Sequence, residues 1–363
     1  MSANIGIRGT GSYLPERIVS NAEIAVAAGV DPGWIESRTG IRERRRAAPG
    51  QATSDLAAAA ADRALTAAGI CASDLDHIIV ATSTPDHPQP ATASIVQHLV
   101  GARNAAAVDV NAVCSGFVYA LAMAEGLLRT GGGTGHALVI GADIYSRILD
   151  YSDRKTAVLF GDGAGAVVLG PVPPAHGLIR THLRGHGDEH TLISVPAGGS
   201  RRPATESTLR DGDHYFKMDG RGVRDFVGRQ VPAAIHDLLS SSGIAATDVE
   251  HLVPHQANGV MLNDLSRTLG LGAANLHLTV GHYGNTGSAS IPVTLDEAAR
   301  AGRIAPGDLL LLAGFGGGMN LGVTLGRWSM HPPAGPRSDV RPLARDMGRD
   351  VGRDMGRDMV LAR

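Results

Sequence analysis

The sequence has few cysteines, few aromatic residues and little net charge, and each shortage excludes a class of protein. Cys71 and Cys114 are the two cysteines among 363 residues, so a framework of several disulfides is excluded and reduced thiols are expected. Aromatic residues make up 4%, too few for the base-stacking platforms of single-stranded nucleic-acid binders. A formal net charge of -2 argues against broad binding to nucleic acid or anionic membranes.

Long apolar runs are also missing. Residues 309–326 are uncharged, but glycines and Asn320 interrupt them, and no segment offers the roughly 18 apolar residues that a membrane helix needs. The N-terminus lacks the basic and apolar regions of a secretory signal. We therefore predict a cytoplasmic protein that does not span a membrane.

What the chain does contain is an alternation of short apolar runs with alanine-rich helical patterns. This alternation predicts α/β layers around buried sheets. Strands are predicted at residues 5–8, 77–82, 106–110, 137–140 and 164–168. Helices are predicted at residues 56–68, 91–100 and 115–128.

An internal repeat predicts two similar halves. Residues 69–77 (GICASDLDH) and 243–251 (GIAATDVEH) are identical at five of nine positions, and each copy follows a helical pattern and precedes an apolar strand. ALVIG at 137–141 resembles LLLAG at 310–314 at nearly the same separation. We predict an N-terminal half at 1–172 and a C-terminal half at 173–330. The Arg/Asp-rich tail at 331–363 has few apolar residues to bury, which favours disorder and no catalytic role.

Cys114 is a candidate nucleophile because it lies between a predicted strand and the start of a predicted helix. Backbone N–H groups and the helix dipole at such a position favour the reactive thiolate. Ser115 and Gly116 keep the turn tight. A lone cysteine is also often a buried structural residue, and the sequence context alone leaves that alternative open.

Three further candidates come from the C-terminal half. His255 follows a short strand in VPHQAN, where an imidazole can exchange protons with a thiol or thioester. Asn285 lies between Gly284 and Gly287, and its neutral amide can stabilise developing negative charge. Glycines 316–318 follow a strand and can aim backbone N–H groups at a ligand. Taken singly, these are also an ordinary loop histidine, a turn asparagine and a flexible loop.

Together these residues supply a nucleophile, an imidazole, a donor amide and glycine N–H donors, a set suited to acyl transfer through a thioester. No cluster has metal-ligand spacing, and the glycine patterns match neither a phosphate loop nor a dinucleotide fingerprint. We therefore expect no metal and no tightly bound cofactor.

The sequence resembles the β-ketoacyl-acyl-carrier-protein synthase III family over about residues 3–328. Six motifs in family order carry the resemblance: WIESRTGIRERR at 34–45, NAVCSGFVYAL at 111–121, FGDGAGAVVL at 160–169, VPHQAN at 253–258, YGNTGSASIP at 283–292 and GFGGGMN at 314–320. The resemblance implies a homodimeric thiolase fold with two similar α/β halves in a five-layered αβαβα arrangement. It also implies an acyltransferase that starts fatty acid or polyketide synthesis.

In the reaction that the resemblance implies, an acyl-coenzyme A or acyl-carrier primer acylates Cys114. A malonyl group on acyl carrier protein then enters and loses carbon dioxide in a Claisen condensation. His255 and Asn285 would stabilise the enolate, and the N–H groups of Cys114 and Gly317 would form the oxyanion hole.

The resemblance also implies a channel for coenzyme A. Trp34 would stack on adenine, and Arg38 and Arg154 would meet the phosphate and nucleotide end. Gly220 and Asn258 would line the pantetheine arm.

Two departures from the family pattern bear on the substrates. Gln89 replaces an aromatic residue that borders the acyl pocket in many members, which weighs against a plain acetyl primer. Val260 stands where housekeeping members carry a basic residue that meets the carrier protein. These changes keep open an alternative enzyme that transfers the acyl group to a hydroxyl or amine. A non-catalytic scaffold subunit and a thioesterase-like hydrolase are further alternatives.

Overall fold

The computed structural model describes residues 4–330, so the predicted disordered tail at 331–363 lies outside the described residues. The strands are β1 Asn4–Tyr13, β2 Arg17–Ser20, β3 Glu43–Arg46, β4 His77–Ala81, β5 Ala106–Val110, β6 Ala137–Ile144, β7 Asp162–Val172, β8 Gly177–Gly185, β9 Ile193–Ser194, β10 Lys217–Met218, β11 His251–Pro254, β12 Asn275–Leu276, β13 Leu309–Gly316 and β14 Asn320–Arg327. The α-helices are α1 Asn21–Ala28, α2 Pro32–Thr39, α3 Thr53–Ala68, α4 Thr92–Val100, α5 Gly116–Thr130, α6 Glu206–Arg210, α7 Gly220–Ser242, α8 Gly259–Thr268, α9 Val280–Tyr283 and α10 Ser290–Arg300.

Two five-stranded sheets share one strand order. The first sheet runs β1-β7-β6-β4-β5, and the second, read from its other edge, runs β8-β14-β13-β11-β12. The directions also correspond. In each order the first two pairs of neighbouring strands are antiparallel, and the last two pairs are parallel. The repeated segments lead into the equivalent strands β4 and β11, and ALVIG and LLLAG lie in the equivalent strands β6 and β13.

The strands bury both faces, so each sheet lies between two helical layers. Ile78 and Val80 of β4 pack toward α3 and α4, while Ile79 packs on the opposite face toward α5 and α10. On the second sheet, Leu310 and Leu312 face α5 and α10, and the alternate side chains of β13 face α7 and α8. The layers therefore follow the order α3/α4, first sheet, α5/α10, second sheet, α7/α8, which is the predicted five-layered αβαβα arrangement.

The predicted strands and helices are all present, and several extend further than their patterns indicate. The strand predicted at 5–8 continues to Tyr13 through a bulge at residues 7–9. Gly9 and Gly11 lie directly against α3, and a Cβ at residue 11 would contact the backbone of Ala60 and Ala64. Glycine therefore lets this edge strand and α3 approach closely, which apolar periodicity does not reveal.

Candidate active site

Cys114 lies in a 3-10 turn, Val113–Ser115, that joins β5 to α5, as the sequence predicts. The preceding residue, Val113, has a φ of 49°, a left-handed conformation that is strained for a β-branched side chain. Such strain costs about 1–3 kcal/mol and is often found at functional sites. The thiol is 5% exposed.

The end of β13 packs against this cysteine. A Cβ on Gly316 would lie 2.8 Å from the Cys114 Cβ and 2.9 Å from its backbone nitrogen, so only glycine allows this approach. Gly317 comes next in the chain and packs against Val113 and Ile193. The structure therefore brings the glycine run and Cys114 together.

His255 directly follows β11, and its backbone N–H donates to Ala313 in β13 at 2.8 Å. The imidazole is buried, its Nδ1 lies 2.7 Å from the Ser290 hydroxyl, and its ring packs edge-on against Phe315 with centroids 5.2 Å apart. Burial lowers the pKa of His255 to about 3. The ring is therefore neutral near pH 7. Within residues 4–330, no hydrogen bond occupies Nε2.

Asn285 lies in the loop between α9 and α10, and its backbone N–H donates to Leu159 at 2.8 Å. Its side-chain Oδ1 accepts the N–H of Gly287 at 2.9 Å, which orients the amide. The NH2 group makes no hydrogen bond within the described part of the chain, so it remains an available donor. A 3-10 turn at 287–289 follows, and α10 begins at Ser290.

Asp143 is a site residue that the sequence analysis missed. It is the next-to-last residue of the apolar strand β6 and is fully buried. Its carboxylate accepts six hydrogen bonds from residues 82–84 and from Ser288. Burial raises its pKa, and these donors oppose that effect. Asp143 thus links the loop after β4 to the turn before α10. A charged residue inside the strand GADIY was the signal available in the sequence.

Tyr145 is a second missed residue. Its hydroxyl lies 2.8 Å from Ser83 Oγ, and its interaction with the Cys114 thiol partly offsets the rise in the pKa of that thiol. Its ring stacks on Phe160 at 4.5 Å and meets the edge of Phe216 at 5.6 Å. An aromatic wall therefore closes the pocket beside the cysteine.

The resting state of Cys114 differs from the sequence expectation. The helix-start position predicts a stabilised thiolate, but burial, reinforced by the Asp143 charge, raises the pKa of the thiol to about 12. The resting cysteine is therefore a protonated thiol. Desolvation of the sulfur outweighs the favourable dipole.

Three of the five residues assigned to a coenzyme channel lie together. Trp34 and Arg38 are on α2, and Asn258 donates from its side chain to the Arg38 carbonyl at 3.1 Å while capping α8. Arg154 and Gly220 are exposed on other segments, and no hydrogen bond or ion pair within residues 4–330 joins them to these three. Gln89 is exposed on the loop between β4 and α4.

Comparison with known proteins identifies the family. The sequence profiles for 3-oxoacyl-[acyl-carrier-protein (ACP)] synthase III and for its C-terminal region match residues 108–187 and 239–328. The acetoacetyl CoA synthase NphT7 of Streptomyces sp. (strain CL190) is 57% identical, with 89% of this chain and 98% of that protein covered. The β-ketoacyl-[acyl-carrier-protein] synthase III of Clostridioides difficile (strain 630) is 43% identical over 91% of this chain and 100% of that protein. The chain belongs to the 3-oxoacyl-[acyl-carrier-protein] synthase III family.

A solved structure of a synthase III shares the fold. The enzyme of Pseudomonas aeruginosa PAO1 superposes with a TM-score of 0.83 at 37% identity, over 90% of this chain and 99% of that one. Synthase III members are acyl-transferring condensing enzymes, and this chain is one of them. The comparisons do not favour the alternative transfer to a hydroxyl or amine.

Residues 4–330 contain neither a cluster of metal-ligating side chains nor a membrane-spanning helix. No group of three or more metal-ligating side chains occurs among them. No helix in the same range is long and apolar enough to cross a membrane.

Proposed function

We propose that this synthase III forms a β-ketoacyl-coenzyme A, and specifically acetoacetyl-coenzyme A, from acetyl-coenzyme A and malonyl-coenzyme A. The packing of the surrounding elements supports the proposal: Gly316 lies against Cys114, and the adjoining Phe315 packs on the neutral His255 ring. Ser288, three residues after Asn285, lies beside Gly116 in the helix that follows Cys114. The 57% identical relative is named an acetoacetyl CoA synthase, which supports this product.

In the first half-reaction, Cys114 Sγ attacks the thioester carbonyl and coenzyme A leaves. The thiol pKa of about 12 and the imidazole pKa of about 3 disfavour a free thiolate–imidazolium pair. We therefore infer that the proton moves from Sγ to His255 Nε2 while the carbon–sulfur bond forms, and then passes to the departing sulfur. Backbone N–H groups of Cys114 and Gly317 would hold the oxyanion.

In the second half-reaction, a malonyl thioester loses carbon dioxide and leaves an enolate that attacks the acyl-cysteine. Neutral donors suit this step, since a protonated imidazole would quench the carbanion. The Asn285 NH2 is free to donate because Oδ1 is bonded to Gly287. His255, uncharged near pH 7, would supply the second donor from Nε2.

A short primer is supported by the wall beside the sulfur. Tyr145, whose hydroxyl interacts with the thiol, is held by the rings of Phe160 and Phe216, so a packed aromatic cluster borders one side of the sulfur. Gln89, which the family resemblance places at the acyl pocket, is exposed on the loop between β4 and α4 in the single chain, so its polarity does not weigh against an acetyl group bound beside Cys114.

A homodimer is part of the proposal. Strand β5 ends the first sheet with a free edge, Val108 on it is 43% exposed, and Met123 and Leu127 on α5 are 42% and 41% exposed. An unpaired edge with nearby apolar side chains favours pairing with a second copy. Sedimentation equilibrium would test this, and a monomer at micromolar concentration would contradict it.

The carrier of the malonyl group is proposed from the channel entrance. Val260, 36% exposed, lies two residues after Asn258, where the sequence analysis expects a basic residue to meet an acyl carrier protein. We propose that Trp34, Arg38 and Arg154 bind the nucleotide end of coenzyme A, that Gly220 and Asn258 line its pantetheine arm, and that free coenzyme A carries both substrates. Such an enzyme would work in the cytoplasm, where these thioesters are found.

Direct competition between acceptors tests the proposal. The enzyme is given acetyl-coenzyme A with equal amounts of malonyl-coenzyme A and malonyl-acyl carrier protein, and both products are quantified by mass spectrometry. We expect kcat/KM for malonyl-coenzyme A to exceed kcat/KM for malonyl-acyl carrier protein by about 10-fold or more. A difference of this size is expected from the loss or gain of one charge contact. Val260→Arg should narrow that ratio. A preference for the carrier protein in the unmodified enzyme would instead support the function named for the 43% identical relative.

A further inference from the structure

The proposed reaction makes two opposite demands on one nitrogen of His255. During acylation, Nε2 must accept the proton of the Cys114 thiol, so the ring proton must be on Nδ1. During decarboxylation, Nε2 must carry a proton to donate to the enolate oxygen. A neutral imidazole has one ring proton, so His255 must change tautomer between the half-reactions.

The residue that faces Nδ1 decides whether both tautomers are stable. Ser290 Oγ lies 2.7 Å from Nδ1, and both side chains are buried, at 1% and 2% exposure. Within residues 4–330 this is the single hydrogen bond of the Ser290 hydroxyl. Ser290 is the first residue of α10, and its backbone carbonyl accepts a hydrogen bond from the Thr294 hydroxyl. The helix therefore fixes the backbone of Ser290 and holds its hydroxyl beside Nδ1.

A hydroxyl differs from the partners that usually orient a catalytic histidine. A carboxylate or carbonyl only accepts, and so fixes the proton on Nδ1. The Ser290 hydroxyl can accept from Nδ1–H, or rotate and donate to bare Nδ1, and the bond survives in both states. With either tautomer, no buried ring nitrogen is left without its partner.

We propose that Ser290 is a positioning residue that lets His255 hold its proton on either ring nitrogen, as a base in acylation and a donor in decarboxylation. The inference rests on the proposed function. The net change moves one proton from Nδ1 to Nε2 once coenzyme A has left, with solvent water taking up one proton and returning another. Ser290 keeps its own proton throughout.

Two variants separate this role from a structural one. In Ser290→Ala, Nδ1 has no partner in either tautomer, and because an orphaned buried N–H is tolerated less well than a bare acceptor nitrogen, the proton stays on Nε2. Acylation of Cys114 by acetyl-coenzyme A, followed by intact mass, should then slow by about 10-fold or more. Carbon dioxide release from malonyl-coenzyme A by preformed acetyl-enzyme should fall by no more than about 3-fold. Ser290→Thr keeps the hydroxyl and should restore acylation. Equal losses in both half-reactions, or no loss in Ser290→Ala, would overturn the proposal.

A spectroscopic measurement does not depend on how the variants fold. The ¹⁵N shifts of the His255 ring, assigned with His255→Gln, report the tautomer directly. We expect both tautomers in the unmodified enzyme, with the balance shifting when Cys114 is acetylated. A single tautomer that acetylation leaves unchanged would refute the inference. If acetyl-enzyme forms but malonyl-coenzyme A yields no carbon dioxide, the proposed function fails, while the acylation rates and the ring shifts still decide the role of Ser290.

Discussion

The two sheets have the same strand order and directions but carry different chemistry at equivalent positions. Strand β6 carries a carboxylate, Asp143, at its next-to-last residue, whereas its counterpart β13 ends in Gly316 against the nucleophile. Strand β4 leads into the hydroxyl-rich residues 82–84, and its counterpart β11 leads into His255. Helix α5 begins just after the thiol, and α10 begins at the serine that holds the imidazole.

This comparison shows how the scaffold and the chemistry are divided. The shared topology places strand ends and helix starts of both sheets around one pocket, whichever residues occupy them. In the proposed function, the N-terminal half supplies the sulfur that forms the covalent bond, and the C-terminal half supplies the groups that manage protons and negative charge.

Loss of the nucleophile should have the largest effect. Cys114→Ala should lower condensation by about 10⁴-fold or more, because no other described side chain at the site can form the acyl-enzyme. Cys71→Ser is the matched control, since Cys71 is exposed beside the turn before β4 and should be inert. Intact mass after incubation with acetyl-coenzyme A checks both variants. An acyl adduct on Cys114→Ala, or an inactive but folded Cys71→Ser, would contradict the assignment.

A substitution of Asn285, the amide donor of the C-terminal half, should separate the two half-reactions. Asn285→Asp places a negative charge beside the developing enolate, so condensation should fall by about 10²–10³-fold. The rate of Cys114 acylation should stay within about 3-fold of that of the unmodified enzyme, since the thiol lies in the N-terminal half. Stopped-flow acylation and carbon dioxide release measure the two steps. If both fell by the same factor, the division between the sheets would be wrong.

A smaller effect is expected from substitution of Asp143, whose carboxylate links the loop after β4 to the turn before α10. Asp143→Asn replaces an acceptor of six hydrogen bonds, so unfolding should become easier by about 2 kcal/mol. Both half-reactions should slow by about 10-fold because Ser288 and the turn beside Asn285 shift.

The control for that variant is Asp296→Asn. Asp296 is equally buried and accepts from Thr10 and Ser12 while pairing with Arg300 at 2.7 Å, but it lies away from the pocket. It should lose similar stability in urea unfolding and keep kcat/KM within about 2-fold. Parallel losses of activity in both variants would mean that Asp143 acts through stability alone.

Much of this arrangement could be predicted from the sequence because it depends on local patterns. Apolar runs predicted the strands, the repeated segment predicted two similar halves, and the six motifs predicted the family. The strand-to-helix position of Cys114 and the strand end before His255 were also correct. These features depend on residues close together in the chain.

What could not be predicted depends on residues far apart in the chain. The pKa of Cys114 is raised by burial, which requires the packed second sheet. The contact between His255 and Ser290 joins β11 to α10, and Asp143 bonds to Ser288 across 145 residues. The exposure of Gln89 likewise follows from the loop path and not from its neighbours.

The smallest effect concerns acid stability, and it again distinguishes the sheets. The buried histidines of the described chain, His251, His255 and His277, all belong to the second sheet or its flanking loops. Burial, followed by repulsion from His251, lowers the pKa of His277 to about 4, against 6.5 for an unfolded histidine. Between those values the unfolded chain binds more protons, so folding stability is intact above about pH 6.5 and declines as the pH falls toward 4.

The decline due to His277 should be about 1 kcal/mol per pH unit, less where water reaches the ring. His277→Gln removes one of these groups and should flatten the dependence of the urea midpoint on pH, even if it lowers the midpoint at pH 7.5. His236→Gln is the control, because that side chain is 82% exposed and should leave the slope unchanged. Equal slopes in all three proteins would place the acid-sensitive step outside the second sheet, and the sheets would then differ in catalysis but not in their response to protons.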